Sequence, residues 1–229
     1  MGSSLYNKMK TAIVIPYNKE EEITLQVLDR LKETTIGDDV YCIVVHGFVE
    51  PCPPIKHKFI NKLVSIKNES YCKTINAGLR EIPKDCTHVL MMGNDSFPDK
   101  EGWVCRLVEL INKHNLVVIS PDYTAGGKGR LISENEELWF HSMMPSISYF
   151  MTTESLKEIG LMDERFVGAC YYSDDDYSRR VHQLYGVNKM ARVKGMLWEH
   201  RCSVEGKALG VANSNQMAIN YKIYNEKWG

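Results

Sequence analysis

The chain has 229 residues, 44% hydrophobic and 25% charged, which suits one globular domain with a sizeable core. Its formal net charge of −1 gives no overall electrostatic footprint for duplex DNA or RNA, and no apolar run is long enough to span a bilayer. Seven cysteines, an odd number with no C-x-x-C pair, together with the lack of a secretory signal and of a myristoylation pattern (Tyr6 stands where Ser or Thr is needed), point to reduced thiols and a cytoplasmic location.

Thr11-Ala12-Ile13-Val14-Ile15-Pro16 is a β-branched apolar run closed by proline, which predicts a buried first strand. Tyr17-Asn18 form a loop. Ile23, Val27, Leu28 and Leu31 then recur at helical spacing behind an acidic first turn, predicting a helix over 20–31. A second strand covers 40–45 and ends in His46-Gly47. Pro51, Pro53 and Pro54 make 48–58 a loop, and a short third strand follows at 63–66. Residues 71–81 read as a helix with Ile75, Leu79 and Ile82 on one face. Val89-Leu90-Met91-Met92 is a fourth apolar run. It breaks off in Gly93-Asn94-Asp95-Ser96, and Pro98 stops it from continuing. A helix over 103–114 and a strand over 116–120 complete this half.

Strands alternating with helices imply an α/β fold built on a mostly parallel, doubly wound sheet. Such a sheet gathers the carboxyl ends of its strands along one edge, where ligands bind. Tyr17, Asn18, His46, Asn68 and Asp95 then share one crevice. Those residue types suit a polar ligand with a ring to grip and phosphates to bind. Asp95, delivered by a buried strand, is a candidate metal ligand, with turn formation as the plainer role.

The second half differs in character. Residues 124–130, Thr-Ala-Gly-Gly-Lys-Gly-Arg, read as a hairpin turn, with phosphate or acceptor contact as the alternative. A strand over 147–152 and a helix over 153–160 follow. In Tyr171-Tyr172-Ser173-Asp174-Asp175-Asp176, Ser173 is the expected N-cap of a helix on which Tyr177, Val181, Leu184 and Tyr185 repeat. Carboxylates in a first helical turn are favourable by ~0.3–1 kcal/mol each. Three in a row also repel one another, which points to a cationic partner or a proton-transfer role. Residues 191–193 and 196–198 are strand-like and lead to Glu199-His200-Arg201. The tail, 208–228, has moderate helical potential and is expected to pack over the sheet or to form part of an acceptor wall.

These stretches together resemble the GT-A nucleotide-sugar glycosyltransferases, specifically the inverting family 2. The resemblance spans about residues 10 to 205 and rests on five pieces in order. They are Ile13-Val14-Ile15-Pro16-Tyr17-Asn18; Asn76-Ala77-Gly78; Gly93-Asn94-Asp95-Ser96, an N-D-[ST] form of the D-x-D motif similar to that of rhamnosyltransferases; Leu161-Met162-Asp163-Glu164-Arg165-Phe166 with residues 173–180; and Trp198-Glu199-His200. Three positions depart from the pattern. His46-Gly47 replaces an acidic pair, Ser173 stands where Glu is frequent, and the D-x-D motif keeps one carboxylate.

The resemblance implies one GT-A domain over 1–229, with a nucleotide-binding half at about 10–120 and an acceptor and catalytic half at about 121–229. It implies transfer of a sugar with inversion from a nucleoside diphosphate sugar, UDP first and dTDP next, to a carbohydrate-type acceptor. A modified nucleobase as acceptor stays open. It makes Asp95 and His200 ligands of Mn²⁺ or Mg²⁺ and, by alignment on Asp176 and Arg180, Asp174 the general base. Pro16, Tyr17, Asn18 and His46 would flank base and ribose, with Lys73, Asn76 and Asn94 near ribose or phosphates. The rival readings are a non-catalytic binding module on the same fold and a sugar nucleotidyltransferase. The latter needs a glycine- and arginine-rich loop where Pro16-Tyr17-Asn18-Lys19 stands.

Overall fold

Apolar residues run almost unbroken through β1 (Lys10–Tyr17) and β4 (His88–Met92) because both faces of these strands are covered. The computed structural model describes residues 9–18, 20–48, 53–67, 70–125, 129–145, 147–168, 171–201 and 210–229. Ile13, Ile15, Leu90 and Met92 point into one core, filled by α1 (Glu21–Thr34) and α3 (Trp103–His114). Ala12, Val14, Val89 and Met91 alternate into a second core, filled by α2 (Tyr71–Leu79), α4 (Thr153–Ile159) and α5 (Ser173–Tyr185).

The remaining strands are β2 (Asp39–Phe48), β3 (Lys62–Lys67), β5 (Ser96–Phe97), β6 (Val118–Tyr123), β7 (Arg130–Glu134), β8 (Leu138–Met143), β9 (Ser148–Thr152) and β10 (Met190–His200). Among the described residues they form one sheet in the order β3-β2-β1-β4-β9-β6-β10-β8-β7, with β5 paired to the end of β10. The pairs β3–β2–β1–β4 are parallel, and so is β6–β10. β9 runs antiparallel between β4 and β6, and β8 antiparallel between β10 and β7. The expected α/β sheet is therefore present and mostly parallel. Its carboxyl edge collects the ends of β1, β2, β4, β6 and β10. No helix among the described residues is long and apolar enough to cross a membrane.

Several expectations are corrected. β6 and β7 are not sheet neighbours, so residues 124–130 are a connection and not a hairpin turn; 126–128 lie outside the described residues. The two strand-like pieces at 191–193 and 196–198 are one strand, interrupted by a register shift between Arg192 and Leu197 where Gly195 takes φ +74°. β7 and β8 were not anticipated, because all five β7 residues are exposed and show no apolar alternation. The tail is a helix, α6 (Gly210–Trp228), seated on α5 and the segment before it rather than over the sheet. Residues 208 and 209 fall outside the described ones.

Two residues of the Asn76-Ala77-Gly78 motif hold α2 in place. A Cβ on Gly78 would stand 2.7 Å from Val45 Cγ2 and closer still to Val14 Cγ1, so the helix backbone lies directly on β1 and β2. The Asn76 amide donates to Met162 O at 2.8 Å and to Glu164 Oε1 at 2.9 Å, while its oxygen accepts from Met162 N at 2.9 Å. Next to this brace, Asp163 accepts from Arg165 Nη2 at 2.6 Å and from Lys227 of α6 at 3.2 Å. The Arg165 bond, reinforced by Lys227, holds the Asp163 carboxyl well below the usual carboxylate range.

Gly78→Ala should lower stability by about 1–3 kcal/mol through overpacking, read as a reduced urea midpoint at unchanged slope. Asp163 has a depressed folded pKa, so its contribution is present above the unfolded carboxylate value and is lost as pH falls through the lowered one. Asp163→Asn should therefore melt below wild type near neutral pH. The gap should narrow as pH is taken below about 4.

Candidate active site

Asp95 follows β4 in a tight turn. Gly93 N donates to Ile147 O at 2.8 Å, and a Cβ on Gly93 would lie 2.8 Å from Asp95 Oδ1, so only glycine leaves room for that carboxylate. The turn is stitched to β10 by Ser96 opposite His200 and by Arg201 N donating to Asp95 O at 2.9 Å. This brings Asp95 Oδ2 to 3.3 Å from His200 Nε2, with both side chains largely buried.

The imidazole is oriented from the end of β6. His200 Nδ1 lies 2.9 Å from Ala125 O, and a carbonyl only accepts, so Nδ1 carries the hydrogen. Thr124 Oγ1 accepts from His200 N at 3.1 Å, and the Tyr123 ring meets the imidazole edge-on at 5.9 Å. Burial pulls the His200 pKa down, but the Asp95 hydrogen bond and charge, with the Ala125 carbonyl, outweigh it and the net direction is up. Nε2 and the Asp95 carboxylate thus converge on a place that attracts a cation.

The pair fits a divalent metal. Adjacent ligands of a six-coordinate ion with bonds of about 2.1 Å are about 3 Å apart, close to the 3.3 Å observed. One carboxylate oxygen and one imidazole nitrogen suit Mn²⁺, and the hydrogen bond at Nδ1 fixes the ligating tautomer. No group of three or more His, Cys, Asp or Glu suited to a metal occurs among the described residues. Asp95 and His200 thus stand as a pair, with no third such side chain completing a metal group among the described residues.

The other expected donor residues are divided. Pro16 and Asn18 lie at the end of β1, and Asn18 Oδ1 is a buried acceptor with no partner among the described residues. Tyr17 and His46 are 1% and 3% exposed and stack on each other at 5.3 Å, with Tyr17 Oη donating to Pro53 O at 3.3 Å. Both rings are therefore buried among their own chain's residues, which leaves little of either exposed for base stacking. Asn94 donates to Thr24 Oγ1 at 2.9 Å, which ties the turn to α1. Lys73 stands in the first turn of α2 at the carboxyl edge. Asn76 lies deeper, fully buried, with its amide consumed by Met162 and Glu164, which removes it from the donor contacts. Asn68 lies outside the described residues.

The three consecutive aspartates point to three different environments, which relieves their repulsion. Asp176 is fully buried and receives Arg180 Nε at 3.1 Å, Trp228 Nε1 at 2.8 Å and Lys227 Nζ at 2.6 Å. Asp175 is half-buried. Burial raises its pKa, and the Arg130 charge works against that rise. Asp174 accepts from Asp175 N at 3.1 Å, and its charge acts on the Tyr149 phenol. Tyr149 and Ser148 pair with Met91 and Met92 just before the turn that carries Asp95, and the Tyr149 ring stacks on Tyr177 of α5 at 5.6 Å. The helix N-cap is Tyr172, at φ +64°, and not Ser173, which is the first helical residue. Sequence reasoning missed Tyr123, Ala125 and Trp228. A backbone carbonyl carries no residue signal at all.

No family model and no curated protein sequence matches this chain. Solved structures do. GalNAc-T7 with UDP, GalNAc and Mn²⁺ superposes with a TM-score of 0.66 at 14% identity, over 85% of this chain and 44% of that one. The mannosyltransferase PcManGT from Pyrobaculum calidifontis, in complex with GDP-Man and Mn²⁺, gives 0.65 at 11% identity, over 94% and 64%. TarS of S. aureus gives 0.61 at 14% identity, over 84% and 36%. The chain thus spans less than two thirds of each of these proteins. At such identities the likeness establishes the fold: this chain is a mixed α/β domain with the GT-A architecture of these glycosyltransferases.

Proposed function

We propose that the chain is an inverting, family 2-like glycosyltransferase that moves a sugar from a nucleoside diphosphate sugar, UDP in the first instance, to a hydroxyl of a carbohydrate-type acceptor. The observation that carries this reading is the Asp95–His200 pair, 3.3 Å apart at the carboxyl edge of the sheet, with the imidazole tautomer held by Ala125 O. The GalNAc-T7 and PcManGT structures, each containing a nucleotide or nucleotide sugar and Mn²⁺, support it.

In this reading Pro16, Asn18, Lys73 and Asn94 line the donor crevice over the buried Tyr17–His46 pair. Asp95 and His200 hold Mn²⁺ or Mg²⁺, which supplies positive charge against the departing diphosphate. Asp174 takes the proton of the acceptor hydroxyl. The acceptor oxygen bonds to the anomeric carbon from the face opposite the diphosphate. The bond to the diphosphate breaks with its electron pair going to the leaving oxygen, so the configuration inverts. Asp175, beside Arg130, faces sugar hydroxyls, and Asp176 is structural.

The first test is thermal shift with UDP, GDP and dTDP, with and without Mn²⁺. A nucleotide at 100 times its Kd adds about 2.7 kcal/mol, which for a chain of this size is a rise of roughly 5–10 °C. Asp95→Asn should remove the Mn²⁺-dependent part of that rise. An undiminished rise would refute Asp95 as a ligand, and no rise with any nucleotide in folded protein would favour a binding module without catalysis. Asp174→Asn should lower sugar turnover by about 10²–10⁴-fold while leaving the nucleotide shift within error. An equal loss of nucleotide binding would refute its role as base.

A further inference from the structure

We infer that α6 is a clamp that sets the catalytic turn: Asn220, Tyr221, Tyr224, Lys227 and Trp228 hold Val167, Gly168 and residues 171–176 in the conformation that aims Asp174. The inference rests on the reading of Asp174 as general base, and it makes Tyr172, Asn220 and Trp228 positioning residues.

The first observation is backbone strain. Tyr172 sits at φ +64°, a region that bulky L-residues avoid unless their surroundings enforce it. It is the N-cap of α5, two residues before Asp174, and its carbonyl accepts the helical bond from Asp176 N at 2.9 Å. The direction of the first turn, and with it the Asp174 carboxylate, follows from the Tyr172 conformation. What enforces that conformation is α6: the Tyr172 ring lies 5.6 Å from the Tyr221 ring and 5.7 Å from the Tyr224 ring.

The second observation is a set of polar bolts. Asn220 is fully buried and uses its whole amide on the segment before α5. It donates to Val167 O at 3.0 Å and to Tyr171 O at 2.9 Å, and accepts from Val167 N at 2.9 Å. Gly168 takes φ +65°, which favours glycine, and the end of the Gln216 side chain of α6 lies where its Cβ would stand. At the far end, Trp228 Nε1 and Lys227 Nζ reach the fully buried Asp176 at 2.8 and 2.6 Å. The segment is anchored from its other side by Tyr71 N donating to Gly168 O at 2.9 Å.

The third observation is what α6 lacks. Among its described side chains Asn220 alone is classed as buried, and Met217, Ile219 and Tyr221 are 41%, 50% and 53% exposed. Its apolar seat is narrow, with Ile223 and Tyr224 partly buried against the second core, and the polar contacts to the catalytic turn add to it. An element of that kind opens more readily than the sheet beneath it.

The test compares wild type with Asn220→Ala, Trp228→Phe, Tyr172→Gly and the pair Asn220→Ala/Tyr172→Gly. Hydrogen exchange is followed by mass spectrometry. Turnover is measured as nucleoside diphosphate release from UDP- and GDP-sugars with Mn²⁺. Asn220→Ala removes three hydrogen bonds and should speed exchange at residues 173–178 by roughly tenfold or more, with β1 and β4 unchanged. Trp228→Phe keeps an aromatic ring, though a smaller one, and loses the indole N–H bond to Asp176, and should do the same more weakly. In both, kcat should fall while KM for the donor stays within about twofold, a split that general loosening of the fold would not give. Glycine adopts the left-handed conformation without strain, so in the Tyr172→Gly background Asn220→Ala should cost less protection. Unchanged exchange at 173–178, or an increase shared equally by β1 and β4, overturns the clamp. Wild type that turns over no donor overturns the base assignment instead, and the exchange comparison then decides the clamp by itself.

Discussion

The constraint on which the site depends is the stitching of the β4 turn to the end of β10. Asp95 and His200 come from distant parts of the sequence, and a carboxylate facing an imidazole at 3.3 Å requires both to be partly desolvated and held. Each is held by backbone. Arg201 N bonds Asp95 O, Ser96 pairs with His200, and Ala125 O fixes the ring. Charges kept this close in a partly dry place interact strongly with whatever cation joins them. The sheet order serves this arrangement: with β9 antiparallel between β4 and β6, the ends of β4, β6 and β10 arrive at one edge.

Behind that edge the sheet carries more polar groups than a parallel core normally does. Ser120 Oγ bonds the Tyr123 hydroxyl, which also bonds Ser148 Oγ, and Arg192 pairs with Asp122 and lies 5.3 Å from the Tyr123 ring. Burial pushes the Tyr123 phenol up to about 12, so it remains a neutral hydrogen-bonding group. A buried network of this kind favours one geometry, because displacement breaks its hydrogen bonds where water cannot replace them. Tyr123 is the wall against which His200 leans, so the rigidity of the network passes directly to the proposed metal ligand.

The acidic turn is organised by a different device. α5 begins at a left-handed tyrosine instead of a hydroxyl cap, and one of its three aspartates is given entirely to Arg180, Lys227 and Trp228. That carboxylate anchors the helix end, while its two neighbours stay only partly buried. The Asp95–His200 pair and the acidic turn are thus built on separate supports, the sheet edge for one and α6 for the other.

The residues themselves determined much of this. Runs such as Thr11–Pro16 and Val89–Met92, apolar at every position, are strands covered on both faces, and their alternation with helical periodicity specified a mostly parallel sheet. The abrupt end of the fourth run marked Asp95, and the order of motifs pointed to the GT-A architecture. Other features only the tertiary structure decided. β7 and β8 carry no apolar alternation: one is exposed throughout, and in the other only Leu138 and His141 are buried. Whether Tyr17 and Asn76 face a ligand or their own chain depends on packing partners far away in sequence, and both proved to face inward. Asp174, Asp175 and Asp176 are chemically identical, and a helix turns each about 100° from the last, so their separate roles follow from what surrounds each face. The group that orients His200 is a main-chain carbonyl, which every residue possesses and only a fold can aim.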